Sequence, residues 1–312
     1  MASEIRLMEP RLLYNLMNRV QGAERRPVYM QHNFLVILDA RDSSAKYEKH
    51  HIRGAIKPKN GIEVPQTINV ASIRYCVVYD SESTTILPNT DAYALAEELA
   101  KVRGDPVYIL KGGIARFSRE YLYLGSESRV LYTPRELEGL QMWPLDMYDY
   151  LLFAGLYDDQ WSNAGLASDM SLRAVLLLEE EDSKATAMEF TGASKENVLK
   201  VKIPSNETTS LLGKMQSVVE FIDSYVKQNL RVLLLARRGV GMIDMAVFVM
   251  AFLISKDYRL KDAHEHVVSS CDPVLRPGRQ ALEDLAAFAR QVPNHPERDT
   301  AAESGAELVL PL

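Results

Sequence analysis

Five continuous apolar runs restrict the fold of this chain more than any other feature of its sequence. The runs contain few polar positions, and strands that are buried on both faces are typical of parallel sheets covered by helices. Helical patterns separate the runs, for example over residues 91–102 and 211–228. The alternation predicts an α/β fold with parallel strands. The runs are Phe34–Leu38, Tyr75–Tyr79, Pro106–Leu110, Leu172–Leu178 and Arg231–Ala236.

The length of 312 residues suggests two domains, at about 150 residues per domain. Residues 121–146 have no clear period and contain several glycines and prolines, so we place the domain junction there. We expect a first domain over residues 1–125, a linker over 126–144 and a second domain over 145–293. The polar residues 294–312 are expected to form a disordered tail.

Composition excludes several classes of protein. Two cysteines, Cys76 and Cys271, cannot build a disulfide framework, which favours a reducing, cytoplasmic compartment. The longest apolar stretch, Met245–Ile254, is too short to cross a bilayer, so we expect no membrane insertion. Residues 1–144 carry 19 basic and 17 acidic side chains, whereas residues 145–312 carry 17 and 25. A second half this acidic is a poor general binder of nucleic acid.

Motifs in the first half resemble those of a rhodanese domain in their order and spacing. The matching segments are Leu38–Arg41, Tyr47, His51–Ile56, Val78–Asp80 and Tyr108–Gly113. In that family the strand before the active loop ends in a cysteine nucleophile that the following backbone amides cradle. Asp80 occupies the equivalent position, and a carboxylate cannot carry a persulfide. The resemblance therefore implies a rhodanese-like parallel sheet domain without sulfur-transfer activity.

The second half resembles a dual-specificity phosphatase domain over residues 145–292. Leu152–Gly155 and Leu172–Leu178 match its first strands, Phe221–Asp223 matches the helix before its phosphate loop, and Pro277 matches its closing segment. The resemblance implies an α/β domain whose phosphate loop lies between the last apolar run and the helix that follows it.

The loop lacks the four residue types that the phosphatase family uses for catalysis. The family pattern is His-Cys, five residues, Arg and then Ser or Thr. The cysteine thiolate attacks phosphorus, and the arginine binds two phosphate oxygens. Here Leu235 replaces His, Ala236 replaces Cys, Met242 replaces Arg and Ile243 replaces Ser or Thr. The general acid aligns with Glu207, or with Asn206 if the register slips by one. The residues between Ala236 and Met242 are Arg237, Arg238, Gly239, Val240 and Gly241.

A rhodanese-like half followed by a phosphatase-like half, with both nucleophiles missing, resembles the inactive members of the MAP-kinase phosphatase group. The resemblance implies a regulatory or scaffold protein that has no cofactor. Its expected partners are a phosphatase that it restrains, a kinase or a stress-granule protein, with effects on apoptosis. It also leaves a mitochondrial location open, although Glu4 and Glu9 are unusual in a transit peptide. The alternatives are a phosphopeptide-binding module and, less favoured, an active phosphatase.

Charged and metal-ligating side chains leave further alternatives open. Arg237 and Arg238 either bind an anion together with the loop amides or are solvated. A second basic group either docks a kinase or forms a solvated face. His264 and His266 lie two residues apart on a predicted helix and so face different directions, which argues against a metal site. The second basic group consists of Arg53, Lys57 and Lys59.

Overall fold

The computed structural model describes most of the chain in two compact units, Met1–Trp143 and Pro144–Leu312. Within the described residues, no helix is both long and apolar enough to span a membrane. The described residues are 3–21, 26–28, 31, 33–60, 63–65, 68–126, 142–157, 165–181, 197–204, 209–237, 240–270, 277–293 and 295.

The first unit is built on a four-stranded parallel sheet with the order β1-β7-β6-β4. Its two central strands, β6 and β7, are the second and third apolar runs, so the predicted parallel sheet is confirmed. Its elements are β1 (Ile5–Met8), α1 (Pro10–Asn18), β2 (Val20–Gln21), β3 (Arg26–Pro27), β4 (Leu35–Asp39), α2 (Ser44–Lys49), β5 (His51–Ile52), β6 (Tyr75–Tyr79), α3 (Asp91–Ala100), β7 (Val107–Leu110), α4 (Gly113–Glu120) and β8 (Gly125–Ser126).

Strand β1 was not expected from the sequence. It is short, lies at the edge of the sheet, and exposes Arg6 and Leu7. An edge strand needs only one partner, so it carries no continuous apolar run. The strand pairs in register with β7, where Met8 lies opposite Leu110.

The second unit contains a five-stranded sheet with the order β12-β11-β13-β10-β9, in which only the pairing of β9 with β10 is antiparallel. Helix α7 is buried on all sides from Met245 to Ile254, as its apolar sequence predicts. The elements are β9 (Leu145–Tyr148), β10 (Leu152–Leu156), α5 (Leu166–Asp169), β11 (Leu172–Glu180), β12 (Val198–Ile203), α6 (Leu212–Val226), β13 (Arg231–Ala236), α7 (Val240–Ile254), α8 (Leu260–Ser270) and α9 (Arg279–Gln291).

The described ends of the predicted linker both contact the first unit. Ser126 lies in β8, which pairs with β5. The backbone N–H of Trp143 donates to Asn18 Oδ1 at 3.0 Å, and its ring centroid is 4.5 Å from that of Tyr123. The linker interior and most of the predicted tail lie outside the described residues. The domain limits of 1–125, 126–144, 145–293 and 294–312 therefore stay predictions.

Candidate functional site

The central strand of the second sheet, β13, ends at Ala236, the residue that the sequence pattern aligns with the phosphatase nucleophile. Leu235 and Ala236 form its last two residues, and both are fully buried. Ala236 lies between Leu156 of β10 and Leu178 of β11, because both neighbouring strands run parallel to β13. The methyl group of Ala236 belongs to the same apolar core as Met245 of α7. This strand end therefore presents no titratable or nucleophilic side chain.

Helix α7 begins at Val240, three residues beyond Arg237 and four beyond the end of β13 at Ala236. Val240, Gly241 and Met242 lie in the helix, although their side chains are outside the described set. Ile243 is half-buried on the first turn. Arg238, Gly239 and the predicted general-acid position, Glu207, with its alternative Asn206, lie outside the described residues, so their roles stay predictions.

Arg237, the one arginine of the loop that is described, is half-buried and contacts an aromatic ring. Its Cζ atom lies 5.7 Å from the ring centroid of Tyr157, a distance at which a cation–π attraction operates. Tyr157 directly follows β10, just as Arg237 follows β13. The parallel register of the two strands brings the two residues together. Sequence reasoning missed Tyr157, because only the strand order reveals this neighbour.

A buried acid follows the loop. Asp244 comes one residue after Ile243 in α7 and is only 7% exposed. In its ionised form this carboxyl group near the start of the helix would repel a phosphate that approached the loop. Sequence reasoning missed Asp244 as well, and the available signal was a single acidic residue in an otherwise apolar helix.

In the first unit, Asp80 directly follows β6, at the position that the sequence pattern aligns with the rhodanese nucleophile. Its carboxylate accepts hydrogen bonds from the backbone N–H groups of Glu82 at 3.1 Å and Ser83 at 2.9 Å. The Ser83 hydroxyl donates to the same carboxylate. The side chain is almost fully buried. The backbone amides that follow β6 therefore bind a carboxylate of their own loop.

The Asp39-Ala40-Arg41 segment of the rhodanese resemblance is structural. Arg41 Nε lies 3.0 Å from one Asp39 carboxylate oxygen and 3.1 Å from the other, and its Nη2 donates to the His50 carbonyl at 2.7 Å. The Tyr79 hydroxyl donates to Asp39 at 2.8 Å. Burial, together with the Asp39 charge, holds the pKa of Tyr79 well above its ordinary value. This network joins the ends of β4 and β6.

The predicted kinase-docking cations are not equally available. Arg53 donates from Nη2 to the Tyr123 carbonyl at 3.1 Å, and the Lys57 ammonium lies 3.4 Å from the Asp39 carbonyl oxygen. Burial lowers the pKa of Lys57. Lys59 is exposed. Two of the three cations therefore contact carbonyls of their own unit, and a docking role for the group stays a prediction.

The cysteines and the histidines of α8 are further residue types that could act as a nucleophile or as metal ligands. Cys76 is fully buried in β6, and burial raises the pKa of its thiol to about 11, so it stays protonated at neutral pH. Cys271 lies outside the described residues. His266 Nε2 lies 2.8 Å from the Met147 carbonyl oxygen. Among the described side chains, no group of three His, Cys, Asp or Glu residues is placed to hold a metal ion.

Comparison with known protein families finds a match to the rhodanese-like domain over residues 28–120, which is less than half of the chain. A search of curated protein sequences finds no match.

Solved structures similar to this chain align with about half of it. A crystal structure of the human tyrosine phosphatase-like serine/threonine/tyrosine-interacting protein is 16% identical and has a TM-score of 0.41, with 46% of this chain and 93% of that chain covered. The crystal structure of human DUSP28 is 17% identical with a TM-score of 0.38, covering 45% and 88%. A mouse putative dual specificity phosphatase complexed with zinc tungstate is 17% identical with a TM-score of 0.36, covering 45% and 82%.

The family match agrees with the residues that carry the rhodanese resemblance, and the sheet of the first unit is parallel throughout. In the second unit, the central strand β13 is followed in sequence by the buried helix α7. The chain therefore contains a rhodanese-like domain, and the α/β unit that follows it resembles dual-specificity phosphatases.

Proposed function

We propose that this chain is a catalytically inactive phosphatase homologue that acts as a regulatory or scaffold protein in phosphorylation signalling. The observation that carries the proposal is Ala236, a buried methyl group at the end of the central strand of the phosphatase-like sheet. Dual-specificity phosphatases form a phosphoenzyme on a cysteine thiolate at this point of the chain, and alanine has no atom that can attack phosphorus.

The remaining loop substitutions remove the other contributions to catalysis. Met242 cannot make the two charge-assisted hydrogen bonds of an arginine, which are worth roughly 1.5–3 kcal/mol each. Loss of a nucleophile alone costs on the order of a millionfold in a serine protease. A proton donor at Glu207 cannot compensate, because protonation of the leaving group promotes the reaction only where a nucleophile attacks phosphorus. We therefore expect turnover that cannot be distinguished from a buffer blank.

The loss of both nucleophiles supports a more specific proposal. Asp80 and Ala236 remove the reactive cysteine from the rhodanese-like half and from the phosphatase-like half of one chain. The same combination is found in the serine/threonine/tyrosine-interacting-like pseudophosphatase of the MAP-kinase phosphatase group, and we assign the chain to that type. The assignment suggests as partners a mitochondrial phosphatase that it restrains, a kinase and stress-granule proteins, with consequences for apoptosis. It is compatible with a cytoplasmic or a mitochondrial location.

The test combines an activity measurement with a binding measurement on the full-length protein. Purified protein is assayed with para-nitrophenyl phosphate beside an active dual-specificity phosphatase, and then titrated with candidate phosphatases, kinases and stress-granule proteins. The proposal predicts no turnover and saturable binding to at least one candidate. Measurable turnover would overturn the inactivity, and a failure to bind any candidate would overturn the scaffold role.

A second candidate function is recognition of phosphopeptides by the remnant loop. Arg237 supports it, because it is a basic residue three positions before the start of α7, and helix N-termini attract anions. An ionised Asp244 argues against it, since its charge would repel phosphate near the start of α7. Calorimetry with matched phosphotyrosine and unphosphorylated peptides decides between these possibilities. The wild type is compared with Arg237→Ala, and Arg173→Ala near the start of β11 is the control variant. Equal, negligible heats for both peptides would remove this candidate.

A further inference from the structure

Helix α4 and the Asp80 carboxylate both hold the loop that follows β6 in the first unit. The N–H of Ile114 donates to the Asp80 carbonyl at 2.9 Å, and the N–H of Ala115 donates to the Ser81 carbonyl at 3.0 Å. In a trans peptide the N–H points away from the C=O. The helix therefore turns the Ser81–Glu82 peptide so that the Glu82 N–H faces the opposite side, where the Asp80 carboxylate lies.

Gly113 shows how closely the loop rests on the helix. Its φ of +53° is in the left-handed region, and a Cβ atom there would come within 2.5 Å of the Asp80 carbonyl oxygen and 2.6 Å of the Glu82 nitrogen. Gly112 makes a further hydrogen bond to the loop, since its N–H donates to the Ser83 carbonyl at 2.6 Å. These backbone contacts do not involve the Asp80 side chain. They hold the peptides on either side of the Glu82–Ser83 peptide, so we expect the loop to keep its conformation without that side chain.

We propose that Asp80 is a built-in anion that occupies an otherwise competent oxyanion cradle, and that removing its side chain lets a small external carboxylate bind in its place. The cradle consists of the Glu82 and Ser83 amides and the Ser83 hydroxyl, all of which donate to the Asp80 carboxylate. Three donors that converge on one carboxylate are sufficient to bind an anion of the size of formate. The inference concerns the first unit only and does not depend on the proposed inactivity of the phosphatase-like unit.

A second buried aspartate in the chain provides a matched comparison. The Asp146 carboxylate also accepts two backbone N–H bonds, from Tyr148 and Tyr150 at 2.9 Å each. Its turn, however, contains two non-glycine residues with positive φ, Asp149 and Tyr150, and such strained turns persist only where the surroundings enforce them. The Tyr148 carbonyl of this turn accepts from the nearby Leu151 N–H, whereas helix α4 holds two successive carbonyls of the loop at Asp80. Removal of the Asp146 carboxylate should therefore let its turn rearrange instead of leaving a cradle.

The experiment measures thermal unfolding of the full-length protein and its variants in sodium formate and in sodium chloride of equal ionic strength. In chloride, Asp80→Gly should lower the Tm of the first unit by roughly 3–8 °C, because three donors lose a charged acceptor. Formate should restore at least half of that loss in a saturable manner. Isotope-labelled Asp80→Gly should also show formate-dependent shifts of the Glu82 and Ser83 amide resonances.

Two controls make the result decisive. Asp80→Asn keeps the cradle filled, and Asp146→Gly removes the comparison carboxylate. We expect formate to raise the Tm of neither variant, nor that of the wild type, by more than about 1 °C relative to chloride. An equal formate response in Asp80→Gly and in these three proteins would overturn the proposal. So would an Asp80→Gly protein that stays unfolded in both salts, since the cradle is argued to be preformed.

Discussion

Removal of Arg41 tests whether the network at the end of β4 stabilises the first unit as its geometry implies. Asp39 is completely buried and the Arg41 side chain is 8% exposed, and the guanidinium bonds both carboxylate oxygens of Asp39. Breaking a buried ion pair by removing one partner costs about 3–5 kcal/mol, because the other charge remains buried without compensation. We therefore expect Arg41→Met to reduce the free energy of unfolding of the first unit by about 3–5 kcal/mol.

The double variant Asp39→Asn/Arg41→Met distinguishes this origin from a simple loss of packing. It removes both charges, while the amide oxygen of the introduced asparagine can still accept a hydrogen bond from Tyr79. We expect it to be more stable than Arg41→Met by at least about 1 kcal/mol. The exposed Asp42–Lys46 pair, 2.9 Å apart, is the matched control, and Lys46→Met should leave stability unchanged.

The assay is urea unfolding followed by tryptophan fluorescence in a Trp161→Phe background. The chain has two tryptophans, so this background leaves Trp143, which is buried in the first unit, as the only indole. The m-value should stay constant across the series, so that midpoint shifts report stability. A loss of less than about 1 kcal/mol for Arg41→Met, or a double variant less stable than the single one, would refute the reasoning.

Three further predictions concern stability. Gly113→Ala should lower the free energy of unfolding by about 1–3 kcal/mol, because φ is positive and the added Cβ would meet the Asp80 carbonyl. The control is Gly213→Ala on α6, where a Cβ meets no other atom, and this change should raise the free energy of unfolding by about 0.5–1 kcal/mol in the same chemical unfolding assay. Because burial raises the pKa of Cys76 from 9.0 to about 11, the free energy of unfolding should fall between pH 9 and 11 by about 2 kcal/mol, and Cys76→Val should show a shallower fall. Asp284→Ala should destabilise the second unit by about 1–3 kcal/mol, because the buried Leu211 N–H, 2.6 Å from Asp284, loses its acceptor. Calorimetry of the unfolding of the second unit measures this loss of stability.

The parts of the fold that the sequence predicts are those in which one signal dominates. Strands β6 and β13 are buried on both faces, and such burial produces continuous apolar runs that need no knowledge of their partners. The sequence did not predict strand β1, because this edge strand of four residues keeps Arg6 and Leu7 exposed. The sequence did not predict strand β9 either, because its buried Asp146 interrupts the apolar pattern and lies in a stretch with many turn residues.

The same distinction applies to the candidate sites. The sequence predicts the places of Asp80 and Ala236 in the fold, because each directly follows or ends a buried strand; their roles stay predictions. The contact of Arg237 with Tyr157 depends on the pairing of β13 with β10, which are separated by two other strands in the chain. The close approach of Gly113 to the Asp80 loop likewise depends on packing between segments far apart in sequence. Register and packing of this kind have no local signature.

The central claim is that this chain has a phosphatase-like site from which the catalytic groups have been removed. Its most direct test compares the wild type with Leu235→His/Ala236→Cys/Met242→Arg/Ile243→Ser in para-nitrophenyl phosphate hydrolysis, with both proteins verified as folded. The account predicts no turnover by the wild type and measurable, vanadate-sensitive turnover by the variant. Turnover by the wild type at the level of the variant would contradict it.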